Sequence, residues 1–253
     1  MKVGFIGLGH MGGPMCRNII KGGHEVRVHD LSDAAVQTCL AAGGIAAGSV
    51  AGAVSGSEVV MTSLPMPKDV ETVALGPDGI LENAVAGTIY VDLSTNSPAM
   101  MKKIADKMAE EDVIALDGPV SGGVVGAEKA TIAIMVGGNK KAFDSCMPIF
   151  ESFGKTIVHT GELGSGCVAK IVNNMIAFTN MVAAAEGLMM GVAAGMDAAV
   201  LNEIVRNSSG NSMSYRGVAK SALERDFAPG FTVDLAYKDL RLALELADEL
   251  DMP

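Results

Sequence analysis

A strand, a glycine turn, a helix, a second strand and an acid open this chain, and few folds accommodate that order. Lys2 to Ile6 is a short apolar run of the kind that makes a buried strand, Met11 to Lys21 reads as a helix, and Gly7-Leu8-Gly9-His10-Met11-Gly12 joins them. Glu25 to Asp30 then alternates as a second strand and ends on a carboxylate. Alone, a G-x-G-x-x-G run is often a mere turn; in this context it is the dinucleotide-binding fingerprint. Each glycine has its own physical task. Gly7 lets the chain turn, Gly9 lets backbone approach a pyrophosphate, and Gly12 lets helix and strand pack closely. The phosphates, with Leu8, His10 and Met11 around them, would sit on the free N–H groups of the helix start.

Asp30 closes the second strand, where a carboxylate can accept both ribose hydroxyls and would repel a 2′-phosphate. Leu31-Ser32-Asp33 follow it with no arginine, which favours NAD, with NADP the alternative. Asp30 equally fits a helix N-terminal acid ahead of Ala34.

Further strands are expected over 58–64, 88–93, 113–116, 131–136 and 156–159, with helical stretches between them. That alternation argues for a parallel, doubly wound sheet. Ligands bind at the carboxyl ends of strands in such sheets, which singles out Leu64-Pro65, Ser94-Thr95 and Asp117-Gly118-Pro119. Ser97-Pro98 caps a helix with proline at its first position. After Gly166 only helices are expected, over 168–196, 198–207, 212–225 and 231–250. The fold class is therefore α/β: a Rossmann-type sheet domain over 1–162, then an all-helical domain over 163–253 entered by a long helix.

That helix opens with an oddity. Lys170 is the only cation in the first turns of a nearly uncharged run from Ile171 to Ala185. If the segment is helical, Lys170 shares a face with Asn174, four residues on. A snorkelling lysine is the bland alternative, though it would be poorly placed for the helix dipole. The second glycine loop, Gly118-Pro119-Val120-Ser121-Gly122-Gly123, offers a hydroxyl and bare N–H groups that suit a carboxylate or phosphate. It would also be required if the loop simply needs glycine angles.

Composition excludes other classes. With 29 acids against 19 bases and a formal charge of -10, nucleic acid and anionic membrane are poor partners. Four scattered cysteines, with no CxxC pair and no nearby histidine, make no metal set and suit a reducing cytoplasm. The glycines near the N-terminus fit a turn better than a signal peptide, and the run after Lys170 is interrupted by Asn173, Asn174, Asn180 and Glu186. A buried helix in a soluble, cytoplasmic protein is expected rather than a membrane span. The seventeen methionines are expected to fill cores. Those between Met175 and Met196 could instead meet a second subunit in a homodimer or homotetramer.

Five ordered segments now carry a resemblance. Gly7-Leu8-Gly9-His10-Met11-Gly12-Gly13-Pro14-Met15, Asp92-Leu93-Ser94-Thr95-Asn96-Ser97-Pro98, Asp117 to Gly123, Gly164-Ser165-Gly166 through Lys170 to Asn174, and Lys238-Asp239-Leu240 together resemble the β-hydroxyacid dehydrogenase family. The family includes 3-hydroxyisobutyrate dehydrogenase, 2-hydroxy-3-oxopropionate reductase and 2-(hydroxymethyl)glutarate dehydrogenase. The resemblance implies hydride transfer between a nicotinamide cofactor and a small 3-hydroxy acid or its semialdehyde. It implies Lys170 as the catalytic lysine with Asn174 as its helper, and Ser121, Gly122 and Gly123 as the substrate carboxylate loop. Leu64, Pro65 and Thr95 would line the nicotinamide side, and Lys238 would close over cofactor and substrate. Two departures stand out: Ala130 occupies a position where the family usually has glycine, and the chain stops at Pro253, short of the family's closing helices, so a shortened helical domain is expected. Related readings are a 6-phosphogluconate dehydrogenase-like enzyme, which would call for more cations, and an imine reductase-like enzyme or a non-catalytic module, both of which generally lack the lysine.

Overall fold

The structure, a computed structural model, describes residues 1–228 and 230–252. Its strands are β1 (Lys2–Ile6), β2 (Glu25–His29), β3 (Ile45–Ala46), β4 (Val59–Thr62), β5 (Ile89–Asp92), β6 (Ile114–Asp117), β7 (Val120–Ser121), β8 (Ile132–Gly138) and β9 (Gly154–Gly161). Between them run α1 (Gly12–Lys21), α2 (Asp33–Leu40), α3 (Val50–Val54), α4 (Pro67–Leu75), α5 (Ile80–Asn83), α6 (Pro98–Ala109), α7 (Gly123–Glu128) and α8 (Lys140–Phe153). Among the described residues only helices follow: α9 (Ser165–Ala193), α10 (Ala198–Arg206), α11 (Met213–Glu224) and α12 (Val233–Glu249). The chain forms two compact units that divide after Lys170, eight residues beyond the boundary expected from the end of the strands, because α9 is continuous across the division.

Alternation along the strands explains the sheet. Val3 and Phe5 face one layer with Met15 and Ile19 of α1 and Phe150 and Phe153 of α8, whereas Ile6, Val60 and Tyr90 face the other with Ile104 and Met108 of α6. Both faces of the central strands β1, β4 and β5 are buried, so these read as continuous apolar runs, whereas β2 alternates. The strand order is β3-β2-β1-β4-β5-β6-β8-β7, with β9 beside β8. The order reverses between β1 and β4, where a doubly wound sheet opens its ligand crevice.

The sheet departs from the expected parallel arrangement beyond β6. Strands from β3 to β6 are parallel, but β8 pairs antiparallel with both β6 and β7. The link between β7 and β8 holds little more than α7, less than the dozen or so residues a parallel crossover needs. β9, reached through the longer α8, is parallel to β8 again. The two-residue strands β3 and β7 were too short to show a period in the sequence.

In the second unit, a small core of Ala184, Leu188, Tyr215 and Ala219 ties α9 to α11. Asp197, Ser212 and Thr232 cap the helices that follow them. The expectation that α9 is buried is corrected here. Only 11% of its most apolar stretch is buried, and Ile176, Val182, Met189 and Met190 are exposed. Apolar residues lie on every side of α9, so neighbours on one side leave the rest uncovered. By length and composition alone it would pass for a membrane span, although three asparagines and Glu186 run along it.

Ala130 has φ +54, the left-handed region that a Cβ disfavours, which accounts for glycine being usual there. Replacing it should relieve strain: Ala130→Gly is expected to raise unfolding stability by up to about 1 kcal/mol, read as a higher urea midpoint at unchanged slope.

Candidate active site

The crevice at the order reversal is built from backbone. Gly7 has φ +92, and its N–H donates to the His29 carbonyl at 3.0 Å. A Cβ on Gly7 would lie 2.4 Å from the Ser63 carbonyl oxygen beyond β4, and one on Gly12 would lie 1.9 Å from the Gly7 carbonyl oxygen. The strand, the turn and the helix are therefore in backbone contact. Gly9 is the opposite case. Its missing Cβ would meet nothing within 4 Å, so bare backbone faces open space. No side chain caps α1, whose cap position is Met11, and no acid stands in its first turn. A positive helix end beside bare backbone fits a pyrophosphate. Leu8 is buried in the core, and His10 is exposed.

Asp30 does more than the sequence suggests. Its Oδ2 accepts from the Leu8 N–H at 2.6 Å and its Oδ1 from the Ser32 N–H at 2.8 Å. It thereby ties the end of β2 to the glycine turn. Carboxylate oxygens retain lone pairs beyond these bonds, so a ribose remains within its capacity. Of the two readings of Asp30, the helix-start role falls to Ser32, which caps α2 through Ala35.

The ends of β4 and β5 are joined by a buried polar network. Asp92, 1% exposed, accepts from Thr62 Oγ1 at 2.8 Å, the Ser94 N–H at 3.1 Å and Asn96 Nδ2 at 3.0 Å. Tyr90 Oη lies 2.9 Å from Thr62 Oγ1, and Ser94 Oγ accepts from the Leu64 N–H at 2.9 Å. Burial pushes the Asp92 carboxyl above its usual range, against the pull of the bonds from Ser94, Asn96 and Thr62. The network holds the Leu64-Pro65 turn to the Ser94-Thr95 turn. None of Thr62, Tyr90, Asp92 or Asn96 stood out as a site residue in sequence, since a polar residue at a strand end declares its partners only in three dimensions.

Ser121 is half-buried at the end of β7, and Gly122 and Gly123 are exposed with φ +140 and +64. Both readings of this loop stand on that geometry: the angles require glycine, and open space over Gly123 leaves its backbone accessible. Lys170 is 9% exposed and Asn174 7%, one turn apart on α9. In the second unit Asn174 Nδ2 donates to Asp239 Oδ2 at 2.5 Å, and Asn173 Nδ2 donates to Asn174 Oδ1 at 3.0 Å. Lys238 Nζ stands 3.0 Å from Asp239 Oδ1 as an ion pair. Asp239, 2% exposed, thus holds both Asn174 and Lys238, a pairing the sequence shows only as adjacency. His159, near the end of β9, packs against Phe143 and meets the Gly138 carbonyl at 2.8 Å. Among the described residues no cluster could hold a metal ion.

The family model for the NAD-binding domain of 6-phosphogluconate dehydrogenase matches residues 2–161. The model for the NAD-binding region of NADP-dependent 3-hydroxyisobutyrate dehydrogenase matches 164–253. The chain is 42% identical over 254 residues to 2-(hydroxymethyl)glutarate dehydrogenase of Eubacterium barkeri, covering 100% of this chain and 84% of that protein. The chain belongs to the β-hydroxyacid dehydrogenase family. A second member, 3-hydroxyisobutyrate dehydrogenase of Pseudomonas aeruginosa, is 41% identical over 249 residues, 96% of this chain and 84% of its own. The solved Mycobacterium tuberculosis 3-hydroxyisobutyrate dehydrogenase with L-serine superposes at a TM-score of 0.91 with 32% identity, over 100% of this chain and 88% of that one. This β-hydroxyacid dehydrogenase is therefore an oxidoreductase acting on CH–OH with NAD or NADP, on a small hydroxy acid. Its glycine turn and the uncapped start of α1 fit that cofactor.

Proposed function

We propose that the enzyme interconverts a primary alcohol, on the carbon β to a carboxylate, and the corresponding semialdehyde. Three relatives motivate the class: two are named for 2-(hydroxymethyl)glutarate and 3-hydroxyisobutyrate and one is solved with L-serine, and all three compounds carry a CH2OH on the carbon that bears the carboxylate. A primary alcohol of this kind needs little space, and the carboxylate supplies the handle by which it is oriented.

The observation that carries the reading is Lys170, a nearly buried ammonium in an apolar helix with Asn174 one turn on. When bound, the nicotinamide supplies the hydride for reduction or takes it up in oxidation. The chain's own residues handle the rest. Ser121 Oγ and the N–H groups of Gly122 and Gly123 bind the substrate carboxylate and fix which end of the molecule faces the lysine. In reduction Lys170 Nζ donates a proton to the carbonyl oxygen; in oxidation the neutral amine takes the hydroxyl proton. Asn174, held by Asp239, orients the substrate oxygen through its amide. Leu64, Pro65 and Thr95 are assigned to the nicotinamide side and Lys238 to the cofactor, from their places in the family's motifs.

Asp30 supports NAD over NADP: it puts a negative charge beside the glycine turn with no arginine following to receive a 2′-phosphate. The exposed apolar residues of α9 support a homodimer or homotetramer, in which a second copy covers them. Four free cysteines support a cytoplasmic location, which cell fractionation with a tagged chain would check.

Three outcomes are expected. Lys170→Ala should lower kcat at least about 100-fold on 3-hydroxyisobutyrate or L-serine while NADH still binds, as followed by nicotinamide fluorescence; unchanged turnover would remove Lys170 from the reaction. With NAD and NADP at matched concentrations, kcat/KM should favour NAD, and a strong NADP preference would refute the role of Asp30. Analytical ultracentrifugation should find a dimer or larger, and Met189→Lys with Met190→Lys should shift it toward monomer; a wild-type monomer would contradict the assembly.

A further inference from the structure

Helix α9 begins without a cap of its own. The residue before Ser165 is Gly164, at φ +91 with no side chain to accept a hydrogen bond, and Ser165 Oγ is occupied by Thr160 Oγ1 at 2.7 Å. Two N–H groups at this helix start are taken instead by a carboxylate from the sheet, while the Ser165 N–H donates to the Glu162 carbonyl at 3.0 Å. Asp117, the last residue of β6, accepts from the Gly164 N–H through Oδ1 and from the Cys167 N–H through Oδ2, each at 2.7 Å. It is 0% exposed.

The surroundings are shaped to this carboxylate. A Cβ on Gly137, the register partner of Asp117 across β6 and β8, would lie 2.5 Å from Oδ1, and one on Gly166 would lie 2.8 Å from Oδ2. Two charge-assisted bonds to N–H groups three residues apart fix both the height and the rotation of the helix start against the sheet. Lys170 follows Cys167 by less than one turn, a rise of about 4.5 Å. A cation so near a helix N-terminus opposes the helix dipole, and a buried negative charge at that end offsets it.

The geometry points to Asp117 as a positioning residue: by clamping the first turn of α9 to the end of β6, it sets where Lys170 Nζ stands. This rests on the reading of Lys170 as the proton donor and acceptor. Asp117, fully buried, acts through the helix and not at the reacting atoms. Asparagine at 117 keeps one acceptor oxygen and turns an NH2 toward the second N–H, so the clamp would hold at one point and pivot.

The test is Asp117→Asn in the full chain, alone and combined with Lys170→Ala, assayed with NAD and 3-hydroxyisobutyrate or L-serine. A displaced lysine predicts kcat down about 10- to 100-fold with the NADH dissociation constant within about twofold of wild type, both being readable apart. In the Lys170→Ala background, followed through residual turnover at raised enzyme concentration, the same substitution should change kcat less than about twofold, because the lysine that the clamp positions is gone and Asn174 keeps its own hold on Asp239. Equal factors in both backgrounds, or loss of NADH affinity in step with kcat, would mean a structural role only and overturn the proposal. So would wild-type kcat in Asp117→Asn beside an inactive Lys170→Ala, whereas wild-type kcat in Lys170→Ala sinks the reading of Lys170 itself. Should Asp117→Asn fail to fold, Gly137→Ala keeps the carboxylate and crowds Oδ1 together with the Glu162 carbonyl and Ser165 Oγ at the same helix start; it should show the same loss of kcat at preserved NADH affinity, and full activity there would equally overturn the clamp.

Discussion

The contact on which the sheet unit depends is backbone against backbone at the crossing of β1, the glycine turn and α1. Gly12 lies so close to the Gly7 carbonyl that no side chain fits between them, and Gly7 likewise leaves no room for one against the backbone after β4. Because the helix is pressed this near, its uncapped N-terminus sits at the crevice where the strand order reverses. Moving α1 outward by even a methyl group would withdraw the N–H groups proposed to receive a pyrophosphate. Close packing here and anion binding are one constraint.

Around that crossing the two faces of the sheet divide the labour. The α1 and α8 face is dry, with phenylalanine and methionine interlocked against the odd positions of β1. On the other face a tyrosine, a threonine and a carboxylate are buried together beneath the turns that follow β4 and β5. A fully bonded polar network in a low-dielectric interior is directional where apolar packing is not. That directionality suits turns which must present a few atoms at set positions.

Much of this was legible in the sequence. Strands β1, β2, β4, β5, β6, β8 and β9 fall where short apolar or alternating runs occur, because a strand buried on both faces, as β1, β4 and β5 are, has little choice of residue, and one buried on a single face alternates. The helices of the second unit begin where Ser212, Asp197 and Thr232 offer caps. What escaped was whatever depends on distance. The reversal of β8 follows from a short link, and the exposure of α9 from having too few neighbours; neither changes the local pattern. In the site, the glycine turns and Lys170 were visible because glycine and an isolated lysine are conspicuous. Asp92, the grip of Asp239 on Asn174 and the second task of Asp30 were not, since a carboxylate looks alike whether it faces water or three donors.

The glycines at positive φ have a consequence for how such a chain can vary. In the core, a leucine can give way to a methionine or an isoleucine at modest loss, because volume is shared among many neighbours. At Gly7 there is no substitute of intermediate size: the smallest added atom already overlaps a carbonyl. Mutational tolerance is therefore lowest where the chain carries least mass. Random sequence drift would leave the glycine turns standing as fixed points while the hydrophobic interior beneath them is exchanged residue by residue.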